Sequence, residues 1–208
     1  MSEDIRRTVK DIEMGYPRVC AHRGFHSVIP ENSLPAYGAA VALSAPEIEF
    51  DLWWTKDDQV VSIHDATLDR ISDGHGHVYD YTLEELRKFD FGSKKGPSFA
   101  GLRIPMFEEI LREFARRAVM NIHIKSLDNV NPIADESHLE RVVALIRKYD
   151  CAEYVYFMSG NDEVLRQLKR IAPNIRRCTG AGDAHFQIVD RAISLGCDKV
   201  QLWEPDFD

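Results

Sequence analysis

Short apolar runs alternate along the chain with longer stretches carrying an apolar residue every three or four positions, the pattern of strands interleaved with amphipathic helices. Ile5, Val9 and Ile12 share a helical face ahead of Gly15-Tyr16-Pro17, which predicts a short leading helix. Arg18-Val19-Cys20-Ala21 predicts a buried strand that delivers His22-Arg23-Gly24 at its end. Asn32 and Ser33 can cap an Ala-rich helix over Leu34–Leu43, with Pro35 tolerated in its first turn. Ile48–Leu52 and Val60–Ile63 read as the next two strands, the second ending on His64-Asp65.

From Ala66 to about Gly101 the pattern loosens. Asp73-Gly74-His75-Gly76 is turn chemistry and Thr82-Leu83-Glu84-Glu85 a capping box, so this segment is expected to be an insertion over about 66–101. A regular rhythm then predicts a helix over Phe107–Ala118 and a strand over Val119–Ile124. A helix capped by Ser137-His138-Leu139-Glu140 follows, then strand Tyr154–Met158, helix Val164–Ile171 and strand Ile175–Cys178. A helix from about Ala184 to Leu195, closed by Gly196, leads to a last strand over Lys199–Trp203.

Strands separated by helices in this way imply a parallel sheet with right-handed crossovers. The seven strands fall one short of a (β/α)8 barrel, a fold of typically about 250 residues. Residues 1–208 are therefore expected to form one α/β barrel domain, with the insertion after strand three and the eighth strand beyond Asp208. An open doubly wound sheet is the competing architecture, although no glycine-rich nucleotide loop follows the first strand.

Composition narrows the function. The 208 residues are 44% hydrophobic and 29% charged, enough for a sizeable core, and the net charge is −8. An acidic balance argues against a general nucleic-acid binder, which would show a basic face, but leaves room for a small anionic substrate met by a cation and a few Lys or Arg. No apolar run reaches the roughly 20 residues of a membrane-spanning helix. The first residues, with Glu3 and Asp4, lack the apolar core of a signal peptide. Cys20, Cys151, Cys178 and Cys197 form no CxxC pair, so a reducing, cytoplasmic setting without disulfides is expected. Oligomeric state is left open.

Candidate chemistry gathers at strand ends. In Ile48-Glu49-Phe50-Asp51-Leu52, Glu49 and Asp51 share one face of the strand, while Ile48, Phe50 and Leu52 share the other. Taken alone, the pair fits a solvated polar face and a divalent-cation site equally well, since paired carboxylates need an opposite charge when desolvated. His22, Arg23, His64, His123 and Lys125 lie on neighbouring strand ends and tilt that balance toward a site. Two imidazoles can serve as general acid and base, and basic groups can stabilise charge on phosphoryl oxygens, a set that suits attack on a phosphodiester. His26, His75, His77, His138 and His185 fall on loops or helices and are read as structural. Ser159-Gly160 lacks the G-x-S-x-G elbow of a serine hydrolase.

Several longer motifs sharpen this reading. Ala21-His22-Arg23-Gly24, Pro30-Glu31-Asn32-Ser33, Ile48-Glu49-Phe50-Asp51, Thr55-Lys56-Asp57 and Val60 through His64-Asp65 stand in order, followed by Leu68-Asp69-Arg70, Gly76-His77-Val78, Thr82, Glu85-Leu86 and Ile104-Pro105. In this the chain resembles the glycerophosphodiester phosphodiesterases, densely over about residues 18–127 and more weakly afterwards. The resemblance implies a barrel of phospholipase C-like type that hydrolyses glycerophosphodiesters to glycerol 3-phosphate and an alcohol, by way of a cyclic phosphate. It implies His22 and His64 as the acid–base pair, Arg23 and Lys125 as phosphate contacts, and Glu49 and Asp51 as ligands of a Mg²⁺ or Ca²⁺ ion. His123 stands where that family usually has a glutamate ligand; as a ligand it would favour Zn²⁺, Mn²⁺ or Co²⁺, and otherwise it lines the pocket. Trp203 is expected as a substrate-facing wall. Two other functions are weighed: a barrel phosphodiesterase of phospholipase D type acting on lysophospholipids or sphingomyelin, and a non-catalytic phosphodiester-binding relative.

Overall fold

The computed structural model describes residues 10–13, 15–125, 135–180 and 187–202, and most of the expected leading helix, His185 and Trp203 lie outside them. Seven strands are described: β1 (Cys20–Ala21), β2 (Glu47–Trp54), β3 (Val60–Ser62), β4 (Val119–Ile124), β5 (Val155–Ser159), β6 (Arg176–Gly180) and β7 (Lys199–Gln201). The helices are α1 (Leu34–Ala42), α2 (Leu83–Leu86), α3 (Phe107–Phe114), α4 (Glu136–Lys148), α5 (Asp162–Ile171) and α6 (Ile188–Leu195). Six strands are parallel neighbours in the order β1-β2-β4-β5-β6-β7.

The seventh breaks the expected rule. β3 returns antiparallel along β2, pairing Leu52 with Ser62 and Trp54 with Val60. The turn between them is only Thr55–Gln59, with Asp58 at φ +56°, too short for the crossover that a parallel strand requires. The count of seven equivalent strand–helix units is thereby corrected to six parallel strands plus a hairpin arm.

Helix ends follow local chemistry. The Ser33 hydroxyl caps α1 by accepting from Ala36 N–H. α4 begins earlier than its serine suggests, because the Asp135 carboxylate accepts from His138 N–H and takes the cap. α3 ends at Phe114 rather than Ala118, since Arg116 turns the chain at φ +65° to enter β4.

The apolar positions of β2 and β4 pack outward against the helices. Ile48, Phe50, Leu52, Ile122 and Ile124 meet Tyr37, Phe107, Ile110, Phe114, Val142 and Ile146 in the main core. Fully burying each side chain of this size contributes about 1.5–3 kcal/mol. A second cluster of Trp53, Val61, Ile63, Leu68, Val78, Leu86, Phe91 and Ile104 gives the segment after β3 its own small core. All eight residues of β2 are buried, so the acids on its other face must be satisfied inside the protein. No described helix is long and apolar enough to cross a membrane.

Candidate active site

Register decides which side chains meet. Parallel pairing sets Glu49 of β2 beside Asn121 of β4, and Asp51 beside His123. Slipped by one residue, β4 would present Ile122 or Ile124 to the acids instead. His123 Nδ1 consequently lies 3.1 Å from Asp51 Oδ1 and 4.0 Å from Glu49 Oε1. Lys125, just beyond β4, brings Nζ to 3.0 Å from the same Asp51 oxygen.

The two histidines of interest arrive from opposite directions. β1 occupies the edge of β2 at Glu47 and Ile48, and β3 the same edge from Leu52 onward. β1 runs toward the acids and is followed at once by His22, whose Nε2 lies 3.8 Å from Glu49 Oε2. β3 runs back toward them and leads through Ile63, whose N–H donates to the Asp51 carbonyl, to His64. The acids thus sit between two imidazoles because one strand is parallel and the other antiparallel.

Backbone and neutral donors hold the carboxylates. Arg23 N–H donates to Glu49 Oε2 at 2.9 Å, which the turn permits because Arg23 adopts φ +56° and Gly24 φ +77°. Asn32 donates from Nδ2 to Asp51 Oδ2 at 2.8 Å, and its Oδ1 accepts from the Asp51 N–H at 3.2 Å. Tyr37 and Ser62 hydroxyls donate to the same Asn32 oxygen, at 2.9 and 3.1 Å. Sequence reasoning finds Asn32 only as a possible helix cap. Its φ of +51° turns the side chain to the site, and the Pro-Glu-Asn-Ser motif is the signal available. His26, structural by its place in a loop, has a ring that meets that of His22 edge-on at 5.8 Å, and its Nδ1 lies 2.7 Å from the His22 carbonyl. His138, on α4, packs on Trp54 and pairs with Asp58, as a structural histidine does.

Electrostatics separates the two acids. Burial and the charge of Asp51 push Glu49 above the usual carboxylate range. Burial also opposes ionisation of Asp51, but His123 and Lys125 outweigh it and hold that carboxyl well below the ordinary value. Burial lowers His123. For His22, burial and then the Arg23 guanidinium lower the imidazole to about 4.

Three buried atoms in this set have no hydrogen-bond partner: Asn121 Oδ1, Asp51 Oδ1, although the Lys125 ammonium and the His123 imidazole stand near it, and Arg23 Nε, 4.0 Å from Asp51 Oδ2. An acceptor that is charge-paired but not hydrogen-bonded, beside a donor without a hydrogen bond, fits a cation and an anion bound side by side. Glu49, Asp51 and His123 each offer a ligand atom within 4.8 Å of the others, so the residues present fit a divalent metal ion. A cavity of about 690 Å³ opens along the inner face of the sheet, lined by His22, Glu49, Asn121 and Tyr156 among others.

Comparison with known proteins bears on the family and the fold. Residues 22–189 match the model of the glycerophosphoryl diester phosphodiesterase family. A glycerophosphodiester phosphodiesterase of Caldanaerobacter subterraneus is 40% identical over 159 residues, covering 76% of this chain and 64% of the relative. One from Bacillus subtilis is 33% identical over 165 residues, covering 74% and 56%. The chain thus spans less than two thirds of the length of these relatives. Among solved structures, an Oleispira antarctica phosphodiesterase in complex with the product sn-glycerol-3-phosphate superposes with a TM-score of 0.83 at 26% identity, over 92% of this chain and 77% of that one. A glycerophosphodiester phosphodiesterase of Agrobacterium tumefaciens shares the fold with a TM-score of 0.71 at 24% identity, over 89% and 86%.

Proposed function

We propose, from the premise that this chain belongs to the glycerophosphoryl diester phosphodiesterase family, that it hydrolyses glycerophosphodiesters to glycerol 3-phosphate and an alcohol. The observation that carries the reading is the convergence of His22 and His64 on a buried acid pair flanked by Arg23 and Lys125. In this proposal the strands belong to a (β/α)8 barrel, and the segment over about 66–101 is its insertion. Four free cysteines suit work in the reducing cytoplasm.

Arg23 Nε, unpaired and buried, is the donor for a phosphate oxygen, and the Lys125 ammonium faces the same space. His22, kept neutral at pH 7 by burial and by Arg23, accepts the proton of the attacking hydroxyl. That hydroxyl is the substrate's own, next to the diester, and the product of the first step is a cyclic phosphate. His64, its ring oriented by the 2.7 Å contact between Nδ1 and Asp65 Oδ1, gives its Nε2 proton to the departing alcohol oxygen. In the second step water opens the ring, with the proton transfers reversed. Glu49, Asp51 and His123 would hold the divalent ion, which when bound polarises a phosphoryl oxygen.

Turnover of glycerophosphocholine and glycerophosphoethanolamine with Mg²⁺, Ca²⁺, Mn²⁺, Co²⁺ or Zn²⁺ tests the proposal. His22→Ala and His64→Ala are each expected to lower kcat by about 10²–10⁴-fold with an unchanged circular dichroism spectrum. Near-normal rates in either variant would sink the acid–base assignment. Cleavage of lysophospholipids alone would favour the phospholipase D-type reading.

A further inference from the structure

Glu31, Asp65 and Arg70 stand in the sequence motifs yet exchange no proton with substrate in these steps. The structure links them in one chain of alternating charge. Arg23 Nη1 donates to Glu31 Oε1 at 3.1 Å. Arg70 grips the same carboxylate with two parallel bonds, Nη2 to Oε1 at 2.7 Å and Nη1 to Oε2 at 2.8 Å. The remaining face of that guanidinium, Nε, donates to Asp65 Oδ2 at 2.5 Å, and Asp65 Oδ1 lies 2.7 Å from His64 Nδ1.

The chain begins at the proposed phosphate contact and ends at the proposed acid. Its two ends stand on different arms of the fold, since Arg23 and Glu31 lie between β1 and α1, while Asp65 and Arg70 follow the antiparallel β3. No backbone hydrogen bond pairs β1 with β3, which meet only through β2. We propose that Arg70 is a positioning residue whose planar fork ties the Glu31 and Asp65 carboxylates together, fixing the placement of Arg23 and the orientation of the His64 ring, with its Nδ1–H on Asp65 and Nε2 toward the leaving group.

A lone surface ion pair contributes little, roughly 0–1 kcal/mol. Here one guanidinium spends three N–H groups on two carboxylates, one of them largely buried, and its rigid geometry transmits position as well as charge. Lysine would keep the charge and lose the fork. Arg70 touches none of Glu49, Asp51 and His123, so its replacement should spare the metal set.

The inference rests on the phosphodiesterase reading, and its test separates the two. Wild type, Arg70→Met and Arg70→Lys are compared by kcat and KM on glycerophosphocholine, by Mn²⁺ affinity and by thermal midpoint. The His64 ring is followed by ¹⁵N NMR of the metal-free protein. Expected are a fall in kcat of about 10–10²-fold in both variants, as for a small misplacement of reacting groups, with KM and Mn²⁺ affinity changed less than threefold. The hydrogen-bonded Nδ1 proton of His64 should be present in wild type and lost in both. The proposal is overturned if kcat stays within threefold of wild type, if Arg70→Lys restores full activity, if metal affinity falls in step with kcat, or if the His64 tautomer is unchanged. Should wild type turn over no diester with any metal, the phosphodiesterase reading fails, and the tautomer comparison still decides the linkage. If Arg70→Met does not fold, Arg70→Lys carries every readout.

Discussion

Asp51 Oδ1 faces His123 Nδ1 at 3.1 Å and Lys125 Nζ at 3.0 Å, so the most buried acid of the site already answers to two basic neighbours. A carboxylate at position 123 would change that local balance by one negative charge and supply a hard oxygen. His123→Glu is therefore expected to shift metal preference toward Ca²⁺ and Mg²⁺ and away from Zn²⁺, on the order of tenfold in relative affinity. Titration calorimetry across a metal series checks it, and an unchanged ranking would mean that His123 lines the pocket without binding the ion.

The elements matter through the turns at their ends. Between β1 and α1 the chain takes left-handed conformations at Arg23, Gly24 and Asn32, which aim a backbone N–H at Glu49 and a side-chain amide at Asp51. Only Gly24 has no room for a side chain, because a Cβ there would lie 2.8 Å from both the carbonyl carbon and the Cβ of Ala36 in α1. Gly24→Ala is expected to cost about 1–3 kcal/mol from strain at that φ, to push β1 and α1 apart, and to lower kcat by moving His22 and Arg23. Urea midpoints measured beside turnover test this, and a variant as stable and active as wild type would refute it.

Across the molecule, a network of ion pairs joins the starts of several strands, at the end of the sheet away from the site. Asp11, 2% exposed, pairs with Arg18, with Arg176 at 3.2 Å and with Lys199 at 2.7 Å, joining the segment before β1 to β6 and β7. Arg18 in turn reaches Glu47 of β2 at 2.7 Å, and the Lys199 ammonium lies 3.6 Å over the Tyr156 ring. Burial raises the Asp11 carboxyl, but Lys199 and Arg18 together hold it below its ordinary value of 3.8. The stability it contributes is complete above the unfolded value and disappears as pH falls through the lower folded one. Asp11→Asn should cost about 3 kcal/mol near pH 7, because Arg18, Arg176 and Lys199 lose the buried carboxylate they share, Arg18 keeping only Glu47. The gap from wild type should then narrow below about pH 4, which denaturation midpoints between pH 2 and 7 would reveal; a gap independent of pH would contradict it.

Much of this architecture is legible in the residues. Period-two alternation puts Glu49 and Asp51 on one face, and apolar spacing locates the strands and most helices to within a few residues, because strand and helix periods are local properties of the chain. The direction of β3 is not legible: a three-residue apolar strand reads the same parallel or antiparallel, and only pairing with β2 chooses. Nor can spacing show that Glu31 and Arg70, 39 residues apart, share two hydrogen bonds, or that Asn32 serves Asp51. Local sequence determined which chemical groups the chain carries and which face each occupies. The tertiary structure decided which groups meet, since register and strand direction are settled by the packing of distant segments against one another.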